Sequence, residues 1–95
     1  MSDNKAQLLE LLFSQAQACE RDGDWPGAIE HYRASLTERA DFLEAHHNLA
    51  VALRHTGKAA EALKSAQLAA TLAPDHPTVQ FSLGVSLEQV GQRDA

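Results

Sequence analysis

The sequence predicts an all-α protein whose antiparallel helix-turn-helix units stack side by side, with five helices in all. Alanine is abundant and aromatic residues make up only 5% of the 95 residues, a composition that favours helices packed through small side chains over a β-sandwich. Three glycines, Gly23, Gly57 and Gly91, lie 34 residues apart. Between them, apolar residues recur at steps of three and four, which is typical of amphipathic helices.

The 34-residue spacing extends to the residues around the glycines. When the chain is aligned with itself at this offset, eight of 34 positions match between the first two copies, against roughly two expected by chance. In the third copy, Leu83, Val85 and Leu87 correspond to Leu49, Val51 and Leu53. A fixed period of this length indicates a repeat protein.

The first unit reads as two helices around Gly23. The first helix is expected at about 5–21, and the second runs to about Glu38. Gly23 suits the end of the first helix and Asp24 can cap the start of the second. Pro26 then lies in the first turn, where its missing N–H costs little.

The second and third units supply three more helices. We expect the third helix at 42–55 with Asp41 as its N-cap, the fourth at 59–72, and the fifth at about 77–90. Gly91 is expected to end the fifth helix, by analogy with the other two glycines of the period.

This pattern resembles the tetratricopeptide repeat (TPR), whose motif begins W-x₂-L-G-x₂-Y and continues with an alanine, an aromatic residue and a proline. The first-helix motif positions hold Leu12, Gln15, Ala16 and Cys19, then His46, Leu49, Ala50 and Leu53, then Gln80, Leu83, Gly84 and Leu87. The second-helix alanines are Ala28 and Ala62, which suit close packing on Ala16 and Ala50. The resemblance covers about residues 9–95 and implies a short right-handed α-solenoid of about two and a half units.

We therefore expect a single domain over residues 1–95, with units at about 9–42, 43–76 and 77–95. The last unit lacks its second helix, so Leu83 and Leu87 lose the partner that would cover them. Either the chain is cut from a longer array, which is the favoured interpretation, or another molecule covers this face. In both cases homodimerisation through the uncapped end is the expected consequence.

The charge balance narrows the choice of partner. Thirteen acids against eight Lys and Arg give a net charge of −5, which disfavours nucleic acid and anionic membrane surfaces. The longest stretch without Asp, Glu, Lys or Arg is 12 residues, too short for a membrane span of about 20. A single cysteine excludes an internal disulfide and does not discriminate between compartments. No secretory signal is visible, so a cytoplasmic location is the default expectation.

No catalytic site or cofactor is expected. The Gly-Lys pair at 57–58 resembles the end of a phosphate-binding loop, but alanines hold the other required positions. His47 and His55 could share a helix face as a weak metal site, although solvated histidines are the favoured interpretation. Cys19 is expected to be an inert buried thiol, and Trp25 to pack between helices rather than on a ligand.

The TPR resemblance implies a groove lined by the first helix of each unit. Its expected lining is Phe13, Gln17, Glu20, His47, Asn48, Val51, Arg54, Phe81, Val85 and Glu88. Phe13, His47 and Phe81 recur at one level of the groove, and two valines form a second, apolar level. Such a surface suits an extended or helical peptide with apolar anchors. Alternatively, the two phenylalanines simply pack between neighbouring helices.

Two groove chemistries known in the family fit poorly. The five positions of the carboxylate clamp hold Phe13, Gln17, Asn48, Thr78 and Ser82, of which only Asn48 fits. An asparagine ladder would have Asn48 as its one rung, between two serines. We therefore expect Asn48 either to bind a peptide backbone or to make an inter-helix hydrogen bond. Arg54 could still bind an anion.

These observations favour a protein-interaction module that binds a peptide or partner helix. Two alternatives stay open. In the first, the chain is the N-terminal part of a larger enzyme, such as a glycosyltransferase or sulfotransferase carrying TPRs. In the second, it is a self-assembly element that associates through Leu83 and Leu87. Because His47 and His55 lie at or beside the expected groove, binding is expected to change between about pH 5 and 7.5.

Overall fold

Residues 2–94 fold into five α-helices joined by short turns. In the computed structural model, which describes residues 2–94 and the side chains of 4–92, the helices are α1 (Ser2–Arg21), α2 (Trp25–Glu38), α3 (Leu43–His55), α4 (Ala59–Leu72) and α5 (Pro77–Asp94). Each helix packs against the next one along the chain, and α3 also contacts α5. The predicted all-α repeat architecture is confirmed, and the bounds expected for the fourth helix match α4.

Gly23 and Gly57 end α1 and α3 with the same turn. Both glycines have φ of +76°, a conformation that costs glycine nothing because it has no Cβ. The amide N–H of Asp24 donates to the carbonyl oxygen of Cys19 at 2.8 Å, and that of Lys58 donates to Leu53 at 2.9 Å. This is the Schellman arrangement, which satisfies carbonyl groups at a helix C-terminus. The repeat is therefore a repeat of backbone geometry as well as of sequence.

The helix starts agree with the predictions at α2 and differ at α3. The Asp24 side chain accepts a hydrogen bond from the Gly27 amide at 3.0 Å, so it is the N-cap of α2. Asp41 was expected to cap α3, and that prediction is wrong. Phe42 occupies the N-cap position without a side-chain cap bond, while Asp41 pairs with Arg39 at 3.2 Å.

The fifth helix does not end at Gly91 as the period predicted. α5 continues through Gly91 to Asp94. α2 and α4 follow the two earlier glycines and pack back on α1 and α3, whereas the described residues contain no helix after α5. Glycine in a helix interior is less favourable than alanine by only about 1 kcal/mol, so α5 can continue through Gly91.

Small side chains allow the helices of each unit to pack closely. Ala16 and Ala28 in the first unit, and Ala50 and Ala62 in the second, are all fully buried. Tyr32 and Leu53 are the largest apolar side chains that are completely enclosed. Phe13, Cys19, Trp25, Leu36 and Phe42 surround this core and are partly buried against it. The core thus joins α1, α2, α3 and α4 through the alanine positions identified in the sequence.

Candidate functional site

One cavity lies between α3 and α5, at the C-terminal end of α3. Its volume is about 400 Å³, and its lining consists of Arg54, His55, Val85, Glu88, Gln89 and Gln92. The guanidinium of Arg54 crosses from α3 to α5, where Nη1 donates to Ser82 Oγ at 3.1 Å and to Ser86 Oγ at 2.9 Å. Both serines are buried. Arg54 is therefore a fixed positive charge in the wall of this cavity.

No carboxylate of residues 4–92 forms an ion pair with Arg54. Among residues 4–92 the ion pairs join Arg33 to Glu61 and Arg39 to Asp41, and neither involves Arg54. Burial lowers the pKa of Arg54 below its ordinary value, because a low-dielectric environment disfavours the charged form. The two serine hydroxyls compensate only part of this desolvation, since they are neutral acceptors.

A second, smaller cavity lies at the N-terminal ends of the same two helices. It encloses about 110 Å³ and is lined by Leu43, Glu44, His47, Asn48, His76, Thr78 and Val79. The Nδ1 atom of His47 is buried without a hydrogen-bond partner among the described residues. Burial lowers the pKa of His47, and the positive charges of Arg54 and His76 lower it further. His47 is thus held as a neutral imidazole beside Asn48.

The base of the groove between α1 and α3 contains a buried tyrosine. The Tyr32 hydroxyl donates to Glu20 Oε1 at 3.0 Å, so a residue of α2 is tied to the groove face of α1. Burial raises the pKa of Tyr32, and the negative charge of Glu20 raises it further. The nearby Asn48 side chain acts on this pKa in the opposite direction. Asn48 therefore lies close to Tyr32 of α2 and also lines the smaller cavity.

Phe81 is the most exposed large apolar side chain on this surface. Its side chain is 74% exposed. Val85 lies one turn further along the same face of α5 and is half-buried in the wall of the larger cavity. Val51 of α3 is likewise half-buried. The two valines expected to form an apolar level thus lie on α3 and α5, and Phe81 lies on α5.

Phe13 occupies the same repeat position as Phe81 but has different surroundings. Its ring centroid lies 5.6 Å from that of Tyr32 and 4.8 Å from that of Phe42. The ring is half-buried in the packing of α1 against α2 and the start of α3. Gln17, one turn further along α1, is also half-buried. The structure thus brings His47 with Asn48, and Arg54 with Val85, but places Phe13 in inter-helix packing.

The opposite side of α5 carries the two leucines expected to self-associate. Leu87 is 51% exposed and Leu83 is half-buried. A Cβ built on Gly84, which lies between them, would meet no atom within 4 Å. This surface is apolar and open along at least one helical turn.

Trp25 and Cys19 lie outside both cavities. The Trp25 ring stacks on His55, with centroids 3.9 Å apart and an interplanar angle of 3°. Burial raises the pKa of the Cys19 thiol, and the charge of Asp24 raises it further, so its reactive thiolate is disfavoured. In the portion of the chain that the structure describes, no three His, Cys, Asp or Glu side chains are grouped to hold a metal ion.

Sequence reasoning missed the serines that hold Arg54. Ser86 takes the place that the buried Ala52 takes in the second unit. A polar residue at a buried repeat position needs a hydrogen-bond partner. The serine at position 86 was therefore the sequence feature that could have indicated a bond to a neighbouring helix. Ser82 is only 3% exposed and is engaged by Arg54, so it does not extend an asparagine-like ladder along the groove.

Stacked helical hairpins with a common face on α1, α3 and α5 define a protein of the α-solenoid class. The family model of the tetratricopeptide repeat matches residues 13–77 and, in a second overlapping match, residues 44–91. These matches together span most of the chain, which therefore belongs to the tetratricopeptide repeat family. TPR domains are in general non-catalytic modules that bind proteins or peptides.

A solved structure supports the same fold. The chain superposes with a TM-score of 0.87 on the C-terminal TPR-containing domain of a Plasmodium falciparum protein described as an FK506-binding protein. The two sequences are 22% identical, and the match covers 95% of this chain and 60% of that one. A comparison with curated proteins gives no match. None of the described helices is long and apolar enough to cross a membrane.

Proposed function

We propose that the chain binds a peptide segment of a partner protein in the groove formed by α1, α3 and α5. The observation that carries this proposal is the 74% exposure of Phe81 beside Val85, next to a cavity of about 400 Å³ between α3 and α5. Contact with an apolar partner removes an exposed aromatic ring of this size from water, which favours binding.

The chemistry of the groove defines what the peptide needs. Phe81, Val51 and Val85 offer apolar contacts, so the peptide presents apolar side chains to them. His47 and Asn48 line the smaller cavity and supply hydrogen-bonding groups for a peptide backbone. The peptide contacts proposed are Phe81, Val85, Val51, His47, Asn48 and Arg54, with Gln17 and the half-buried Phe13 at the α1 side.

The test begins with selection of binding peptides from a random display library against the purified chain. The affinity of a selected peptide is then measured by fluorescence anisotropy for the wild type and for Phe81→Ala. Loss of a well-packed aromatic contact costs more than 1 kcal/mol at a binding hot spot, so we expect about tenfold weaker binding or more.

Leu68→Ala is the matched control, because Leu68 is 46% exposed on α4, outside the groove helices. Neither substitution should change stability by more than about 0.5 kcal/mol, since both side chains are exposed. Equal affinities of the wild type and Phe81→Ala, for every selected peptide, would show that the groove is not the binding face.

Self-association is a second candidate, favoured by the 51% exposure of Leu87 next to Leu83 on the other side of α5. Light scattering over a concentration series measures the solution mass directly. A dimer that dissociates on Leu87→Glu, with helicity retained by circular dichroism, supports this candidate. A wild-type chain that stays monomeric throughout the series excludes it.

A further inference from the structure

We propose that Arg54 binds the carboxylate of an acidic side chain in the peptide that occupies the groove. The inference rests on the proposed function, because it needs a peptide lying along α3 and α5. It adds a specific chemical requirement: the peptide carries Asp or Glu where it passes the larger cavity.

The hydrogen bonds of Arg54 leave half of its guanidinium available. Among residues 4–92, the hydrogen bonds of this side chain are made by Nη1, which donates to Ser82 and Ser86. The edge formed by Nε and Nη2 therefore keeps a pair of donors in the planar fork that matches a carboxylate. The serines fix the guanidinium plane, so less side-chain entropy is lost when the ligand binds.

The charge of Arg54 also favours an anion. The side chain is half-buried, and no carboxylate among the described residues forms an ion pair with it. A partly desolvated cation with neutral partners gains more from a carboxylate than a solvated surface cation does. The cavity beside it has room for a carboxylate and is open to solvent along the groove.

Glu88 lines the same cavity, so the proposal predicts opposite effects on affinity for substitutions of Glu88 and Arg54. Its negative charge opposes an incoming carboxylate, although it lies too far from Arg54 to form an ion pair with it. Glu88→Gln should therefore strengthen binding of an acidic peptide, whereas Arg54→Gln should weaken it. A site that recognises only apolar groups would respond to neither substitution.

The probes are three short acetylated peptides that differ at two points. The first has a central glutamate between leucines and an amidated C-terminus. The second has glutamine in place of the glutamate, and the third has the glutamine with a free C-terminal carboxylate. Affinities are measured by heteronuclear NMR titration to millimolar peptide, with the Arg54 Nε–Hε signal as a direct readout of the site.

We expect the wild type to bind the glutamate peptide about tenfold more tightly than its glutamine counterpart, the size of one charge-assisted bidentate contact. Arg54→Gln should abolish this preference. Arg33→Gln is the matched control, because it removes the same charge from an arginine paired with Glu61 outside the groove, and it should retain the preference. Glu88→Gln should increase the preference a few-fold.

Equal wild-type affinities for the glutamate and glutamine peptides would overturn the inference, without relying on any variant to fold. The inference would also be overturned if Arg54→Gln kept the preference for the glutamate peptide. It would be overturned as well if the glutamine peptide with a free C-terminal carboxylate bound as tightly as the glutamate peptide. Peptides that bind without this preference, but are weakened by Phe81→Ala, would leave the proposed function intact. Binding that depends on Arg54 but not on Phe81 would instead contradict the groove contacts.

Discussion

Tyr32→Phe removes one hydroxyl from the floor of the groove and leaves the ring in place. The hydroxyl is completely buried and donates to Glu20 Oε1 at 3.0 Å. The ring keeps its edge-on contact with Phe13 at 5.6 Å, because phenylalanine has the same shape. The substitution therefore isolates the hydrogen bond that ties α2 to the groove face of α1.

The expected cost follows from the burial of the two partners. A hydrogen bond to a charged group contributes about 1.5–3 kcal/mol to stability. Glu20 is only half-buried, so water replaces part of the lost contact. We expect the free energy of unfolding to fall by about 1–2 kcal/mol, which lowers the melting temperature by about 4–8 °C per kcal/mol in a domain of this size.

Urea unfolding followed by circular dichroism measures this change. A thermodynamic cycle with Glu20→Gln and the double variant separates the pair from other effects, and we expect a coupling of at least about 0.5 kcal/mol. A fall in stability below about 0.3 kcal/mol, or a coupling of zero, would show that the hydrogen bond does not stabilise the fold.

Alkaline pH provides an independent readout of the same side chain. Burial raises the pKa of Tyr32 above its ordinary value near 10. Above pH 10 the unfolded chain then releases the tyrosine proton while the folded chain retains it, so stability falls as the pH rises. Relative to Tyr32→Phe, the wild type should lose up to about 1.4 kcal/mol per pH unit there. Parallel curves for the two proteins would contradict the assigned burial.

Two further substitutions test the local structure. Asp24→Ala removes the cap bond to the Gly27 amide and should lower the free energy of unfolding in urea by about 0.5–2 kcal/mol. Asp22→Ala, which removes a neighbouring exposed charge, should change stability far less. Equal effects of the two substitutions would contradict the cap. His47→Gln tests pH dependence on the acid side. Because the pKa of His47 is lowered in the fold, the unfolded chain takes up a proton first as the pH falls below about 6.5. The wild type should then lose stability relative to the variant, by at most about 1.4 kcal/mol per pH unit, and a constant difference from pH 7.5 to 5.5 would refute the lowered pKa.

Local sequence signals predicted most helix bounds, because turn and cap chemistry acts over a few residues. Gly23 and Gly57 adopt the positive φ that favours glycine, and Asp24 caps α2 as expected. The repeat period alone misplaced the end of α5, since Gly91 is helical. Asp41 failed as a cap because its side chain pairs with Arg39 instead. A period predicts where a residue type recurs but not which tertiary contacts it makes.

In the groove, too, the repeat period predicted where residues lie along the helices but not which side chains surround them. Phe13 and Phe81 hold equivalent repeat positions, yet Phe42 and Tyr32 cover the first ring while the second is 74% exposed. The sequence placed Arg54 on the groove face, but its bonds to Ser82 and Ser86 depend on how α3 packs against α5. Contacts between side chains that are 28 or 32 residues apart are set by helix packing, which the helical period does not encode.

The most direct test of peptide binding in the groove is an NMR map of the chain with a peptide selected by display. The account predicts that the largest chemical-shift changes occur at Phe81, Val85 and Val51, with smaller changes at His47 and Asn48. Changes confined to the exposed Leu68 and Leu72 of α4, with Phe81 unaffected, would place the partner on the other layer of helices and contradict the proposed function.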